Sequence, residues 1–159
     1  MRSSSWRVAV LVSALVLCLS ALVLPWAAGR AEGGARKTCH NGLLRGPYLG
    51  QIEGTVLSGV PGAPGPVGAV GTITFNGKGT LTIADMASLF GNFFPRTGTG
   101  TYTVNSNCTG TATVTFETPP QFKGLKQDLA MVLKGNGQMF RVISSDPGGV
   151  VLGSFEKQY

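Results

Sequence analysis

Gly100-Thr101-Tyr102-Thr103-Val104-Asn105-Ser106-Asn107-Cys108-Thr109-Gly110-Thr111-Ala112-Thr113-Val114 carries one five-residue phrase twice, Gly-Thr-apolar-Thr-apolar, on either side of a short polar break. The phrase also occurs upstream as Gly71-Thr72-Ile73-Thr74-Phe75 and Gly79-Thr80-Leu81-Thr82-Ile83, parted by Asn76-Gly77-Lys78. Strict alternation places every threonine on one face of an extended strand and every apolar side chain on the other, and β-branched threonine suits the pleat. Each pair therefore reads as an antiparallel hairpin of half-buried strands.

Working outward, Tyr48 to Leu57 predicts a strand, and Gly59-Val60-Pro61-Gly62-Ala63-Pro64-Gly65-Pro66 a loop in which proline blocks regular pairing. The threonine strands are expected at about 69–75, 79–84, 98–104 and 110–116. Asp85 to Phe94 fits a short helix as well as a strand, ending at Pro95. Thr118-Pro119-Pro120 closes the second hairpin, and strands follow over Leu125–Leu133, Gln138–Ser144 and Val150–Glu156. The last two are joined by Asp146-Pro147-Gly148-Gly149, a strong turn signal. The fold class is all-β: a single antiparallel barrel of about eight strands, or a two-sheet sandwich. The barrel is favoured because few charges or prolines guard a free sheet edge. At eight strands its interior is either filled by side chains or just wide enough for one small ligand.

The amino terminus has the layout of a secretory signal peptide: Arg2 and Arg7, an apolar run from Val8 to Leu24, then Pro25 and small residues up to Ala31. The expected organisation is residues 1–31 signal peptide and cleavage region, 32–38 flexible leader and 39–159 barrel domain, with no integral membrane segment after processing. Cys18 lacks the small preceding residue of a lipid-bearing cysteine. Cys39 and Cys108 remain in the exported part, and an even pair in an oxidising compartment is most simply a disulfide. It would close a loop of about 70 residues, which chain entropy values at roughly 4 kcal/mol. A metal or redox pair is the weaker alternative, without Cys-x-x-Cys spacing and with His40 as the single histidine.

Removing Arg2 and Arg7 from 13 basic residues leaves 11 against 7 acidic ones, a net charge of +4 for a chain starting at Arg30. Arg30, Arg36 and Lys37 precede the barrel domain, so the folded part is nearly neutral, and no basic cluster alternates with exposed aromatics. Nucleic acid is not an expected partner. No phosphate loop opens a helix, and His, Cys and carboxylates are too few for a zinc site beside the disulfide. Neither metal nor cofactor is expected, and no catalytic residue is assigned.

Paired carboxylates are conceivable among Glu53, Asp85, Glu117, Asp128 and Asp146, but nothing in the sequence makes any two converge. Glu53 and Arg141 fall inside expected strands, where a one-residue change of register decides between solvent and interior. Facing inward, they would pair and polarise a bound carbonyl or carboxylate. The aromatic set, which includes Tyr48 and Tyr102, reads as core, or as the wall of an apolar ligand cavity. Tyr48, Glu53, Tyr102 and Arg141 are thus the candidate ligand-binding residues.

Several phrases together resemble a family of largely uncharacterised bacterial exported proteins, related in fold to the allene oxide cyclase and dirigent barrels. They are Cys39-x-x-x-Leu43-Leu44-x-Gly46-x-Tyr48, Gly71 to Gly79, Cys108 within Gly100 to Thr111, and Arg141 to Val150. The resemblance implies an eight-stranded, lipocalin-like barrel with a central cavity, and it supports pairing Cys39 with Cys108. It implies no cyclase chemistry, since such proteins steer intermediates by pocket shape and no catalytic position is matched. The leading expectation is an exported, extracytoplasmic barrel that binds a small apolar or amphipathic ligand without covalent catalysis. The alternatives are a cofactor-independent cyclase or isomerase working by cavity shape, and a non-enzymatic envelope or protein-interaction module. A connected cavity with two convergent polar groups would favour binding or catalysis; a filled interior would favour the module.

Overall fold

A computed structural model describes residues 38–57 and 64–159. The expected signal peptide, almost all of the leader and most of the Gly59–Pro66 loop lie outside the described residues. Eight strands follow one another: β1 (Arg45–Val56), β2 (Gly65–Asn76), β3 (Thr80–Leu89), β4 (Asn92–Val104), β5 (Thr109–Thr118), β6 (Lys126–Lys134), β7 (Met139–Ser144) and β8 (Gly149–Lys157). Each pairs antiparallel with the next, and β8 returns to β1 from Tyr48↔Lys157 to Val56↔Gly149, closing the barrel. Closure leaves no sheet edge unpaired.

The threonine alternation behaves as its period demands. Ile73, Phe75, Leu81, Ile83, Tyr102, Val104, Ala112 and Val114 are buried inside, while Thr74, Thr82 and Thr99 are exposed on the outer wall. Register aligns them across strands, Thr74↔Thr82 and Thr82↔Thr99.

Three local expectations need correction. Asp85 to Phe94 is not helical: β3 continues to Leu89, a two-residue turn follows, and β4 starts at Asn92. Both turn residues have positive φ, Phe90 at 53° and Gly91 at 80°, the backbone of a type I′ hairpin. Glycine is the usual choice there and phenylalanine is not, so the turn carried half its signal. Pro95 does not end this segment but pairs with Met86 inside β4. Gly65 and Pro66 belong to β2 rather than to the loop, opposite Val56 and Thr55. The β2–β3 ladder reaches only Val67, so Pro66 has no partner on that side to which an N–H would be owed.

The two ends of the barrel differ. At one end the interior is filled by Tyr48, Phe75, Tyr102, Phe140 and Phe155. Their rings meet edge to face at centroid distances of 4.8–5.4 Å, except Phe140 and Phe155, which stack at 5.0 Å. Residues 39–44, including a turn of 3-10 helix at Asn41–Leu43, cover that end and bury Leu44 completely. Asn41 Oδ1 accepts from the Val104 amide at 2.7 Å, and a Cys39–Cys108 disulfide ties the segment to the β4–β5 turn.

The bonded cysteines are 69 residues apart, for which loop entropy gives a stabilisation of about 4 kcal/mol. Reduction, or Cys39→Ser with Cys108→Ser, is expected to lower the free energy of urea unfolding by about 2–4 kcal/mol while far-ultraviolet circular dichroism keeps its β signature. An unchanged unfolding midpoint would show that residues 39–44 are held by packing alone.

Candidate functional site

Above the aromatic layer the inward positions no longer fill the interior completely. Gly50 on β1, Ala69 and Gly71 on β2 line an inner void of about 40 Å³, with Ile83, Val114, Leu129, Val142 and Val151 around it. A cavity of about 280 Å³ lies towards the end that carries the β7–β8 turn and the 3-10 turn Pro120–Phe122. Ile52, Arg96, Phe116, Gln127 and Val151 line both, so the two spaces adjoin as the inner and outer parts of a funnel, the outer part bordered among the described residues by Phe122, Leu125, Pro147 and Gly148. Its volume lies near the lower end of the range of about 300–1,000 Å³ for small-molecule pockets.

The wall of the inner void is mainly apolar apart from Asp85, Arg96 and Gln127, and the outer cavity adds Lys126, Ser144 and Asp146. Asp85 and Arg96 are direct partners across the β3–β4 hairpin. Arg96 Nε donates to Asp85 Oδ1 at 2.9 Å and Nη2 donates to Oδ2 at 2.8 Å, a bidentate pair whose side chains are only 8% and 15% exposed. The guanidinium carbon also lies 4.6 Å from the centroid of the Phe116 ring, in cation–π contact. Gly71 opposes Asp85 on the other side. A Cβ there would strike Asp85 itself and come within 2.5 Å of the Ala84 carbonyl oxygen, so the absence of a side chain at residue 71 makes room for the carboxylate. Beside the pair, β5 carries a bulge at Glu117: Thr97 faces Thr118 but Gly98 faces Phe116. Gln127 on β6, opposite Val114, adds a half-buried amide to the same space.

The four candidates read from the sequence stand elsewhere. Tyr48 and Tyr102 belong to the aromatic plug. The Tyr48 hydroxyl donates to the Gly137 carbonyl at 2.6 Å, with the Leu43 carbonyl 3.4 Å away. The Tyr102 hydroxyl lies 3.0 Å from the Leu44 carbonyl and 3.1 Å from that of Asn41. The Tyr102 phenol therefore binds the barrel to its cover, and the Tyr48 phenol binds the β6–β7 turn beside it. Glu53 and Arg141 are exposed on the outer wall, beside Gln51, Leu152 and Ser154, and they form no ion pair among the described residues. Of the five carboxylates considered, Asp85 faces the inner void, and its partner is an arginine rather than a second acid. Asp146 at the mouth accepts from the Asp128 amide at 3.0 Å. His40 is exposed, its Nδ1 accepting from the Gly42 amide at 3.2 Å. Among the described residues no cluster of three His, Cys or carboxylate groups could hold a metal ion.

Asp85 and Arg96 were nevertheless visible in the pattern. Continuing the inward set Leu81, Ile83 gives Asp85, and counting back from Tyr102 through Gly100 and Gly98 gives Arg96. Opposite charges on the apolar face of two strands of one hairpin are the signal, and it is lost if the strands are cut short at residues 84 and 98.

Two consequences can be measured. Asp85→Ala leaves a buried guanidinium without a countercharge and is expected to destabilise the barrel by about 3–5 kcal/mol; adding Arg96→Met should restore most of that loss. A double variant as unstable as the single one would assign the loss to packing. Burial pushes the Tyr48 and Tyr102 phenols above the ordinary value of 10.0. As pH climbs past 10.0 the unfolded chain loses these protons first, so stability that is fully present below that pH falls as the native pKa is approached. Tyr48→Phe should cost about 1–3 kcal/mol at neutral pH and flatten the alkaline decline, read as urea midpoint against pH.

No family model matches the chain, and no curated protein matches it. A solved structure similar to it is a redesigned β-barrel, mFAP1, bound to DFHBI. The TM-score is 0.52 at 19% sequence identity, and the match covers 74% of this chain and 97% of that one. At that identity the likeness concerns architecture alone: this chain shares the closed β-barrel fold.

Proposed function

We propose that this protein is an exported barrel that holds a small apolar or amphipathic molecule, non-covalently, in its interior cavity. The observation that carries this reading is the uneven filling of the interior: aromatic rings plug one end, while the other keeps a mainly apolar cavity of about 280 Å³ that reaches Arg96 of a desolvated ion pair. A barrel serving only as a scaffold for its loops gains nothing from such a void, because an unfilled interior forgoes dispersion contacts. The mFAP1 barrel was solved with DFHBI bound, which supports reading a barrel of this fold as one that holds a small molecule. The disulfide suits an oxidising, extracytoplasmic compartment, and among the described residues no helix is long and apolar enough to cross a membrane. The resemblance to exported relatives of the allene oxide cyclase and dirigent barrels points the same way.

The ion pair favours one second reading, a cofactor-independent cyclase or isomerase. A guanidinium fixed in a water-poor cavity is a group that polarises a carbonyl as charge develops on its oxygen. The two readings part on the fate of the ligand, which is recovered unchanged from a binder and rearranged by an enzyme.

Native mass spectrometry of the exported protein, purified without detergent and exposed to lipid and polyketide extracts, is expected to show a stoichiometric small molecule. Val151→Phe projects a ring into the space shared by both parts of the funnel and should abolish that mass without lowering the melting temperature. Protein that stays bare after such exposure would overturn the proposal and favour an interaction module.

A further inference from the structure

We infer that the ligand of this cavity is an uncharged, largely hydrocarbon molecule bearing a carbonyl oxygen, which accepts a hydrogen bond from Arg96 Nη1 beside the Gln127 amide. The inference rests on the binding function proposed above and specifies its chemistry.

It begins with the valences of Arg96. A guanidinium has five N–H donors in a fixed fork. Nε and Nη2 each engage one oxygen of Asp85, and the Phe116 ring lies against the guanidinium. Nη1 makes no hydrogen bond among the described residues, yet no fully buried side-chain nitrogen or oxygen among them is left without a partner. Nη1 therefore keeps access to open space, and the space Arg96 borders is the funnel, both inner void and outer cavity. The residue as a whole is 7% exposed, so this donor serves the cavity and not the outer surface.

Charge then selects the acceptor. Asp85 already cancels the arginine, and the other charged groups lining the funnel, Lys126 and Asp146, belong to the outer cavity and do not reach the inner void. A ligand carboxylate would bring an uncompensated charge into an apolar enclosure, and desolvation opposes that strongly. A neutral carbonyl carries little desolvation cost and receives a charge-assisted hydrogen bond from Nη1. Gln127 lines both parts of the funnel and its amide makes no hydrogen bond among the described residues, so its NH₂ supplies a second donor and its oxygen can accept from a ligand hydroxyl. The remaining inner wall, Ile52, Ile83, Val114, Leu129, Val142 and Val151, asks for hydrocarbon.

Three probes with one apolar body separate the cases: 2-ethylnaphthalene, 2-acetylnaphthalene and 2-naphthoate, titrated calorimetrically into the disulfide-bonded exported protein. The ketone is expected to bind at least about tenfold more tightly than the hydrocarbon, and more tightly than the carboxylate. Asp85→Leu with Arg96→Met removes both charges together and should erase the ketone's advantage while the hydrocarbon still binds. Should that double variant fail to fold, Gln127→Leu is expected to narrow the advantage. Hydrocarbon and ketone binding equally would overturn the assignment to Arg96 and leave the cavity proposal standing, and tightest binding by the carboxylate would overturn the neutral-ligand inference. Failure of all three probes to bind would count against both this inference and the cavity proposal.

Discussion

Closure of β8 onto β1 is the constraint on which everything else in this barrel depends. With eight strands the interior radius leaves room for side chains and little more, so what each inward position carries decides whether that level is solid or open. Tyr48, Phe75, Tyr102, Phe140 and Phe155 make one level solid. The next level, lined by Gly50, Ala69 and Gly71 among others, keeps a void. The same geometry that removes free edges therefore also creates an enclosed space, and composition along the inner face apportions it.

The ion pair follows from that enclosure. Two charges in so apolar a place are tolerated only with good geometry, and the hairpin register that sets Asp85 opposite Arg96 supplies it. Gly71 clears the carboxylate on one side, and Phe116 covers the guanidinium on the other. Such a pair is weak evidence for stability, because hydrophobic residues of similar volume often serve as well. Its placement in the wall of the void, with one guanidinium nitrogen left over, is the basis of the proposed recognition role.

The covered end serves the same purpose from the opposite side. Residues 39–44 lie over the aromatic layer, accept a hydrogen bond from the buried Tyr102 phenol and are stapled by the disulfide. A barrel open at both ends would admit water to each. With one end covered, the low polarity around the Arg96–Asp85 hydrogen bonds is preserved from that side.

Alternation of threonine with apolar residues was sufficient to determine the hairpins, the faces of their strands and the all-β class, because a period of two is a local property of extended backbone. The pairing of Cys39 with Cys108 was legible from cysteine count and compartment. The β3–β4 turn was not, since Phe90 adopts a backbone that phenylalanine rarely takes and only the surrounding barrel holds it there. The missing turn also hid the site: with the strands cut short, Asp85 and Arg96 lost their places on the inner face. Tyr48 and Tyr102 were recognisable as inward, but whether an inward aromatic plugs a barrel or lines a pocket depends on the height at which eight strands bring rings or glycines together. That height is set by register around a closed sheet, which relates residues far apart in the chain and leaves no local mark in the sequence. Here it places Gly50 opposite Phe155, and only the tertiary structure decides it.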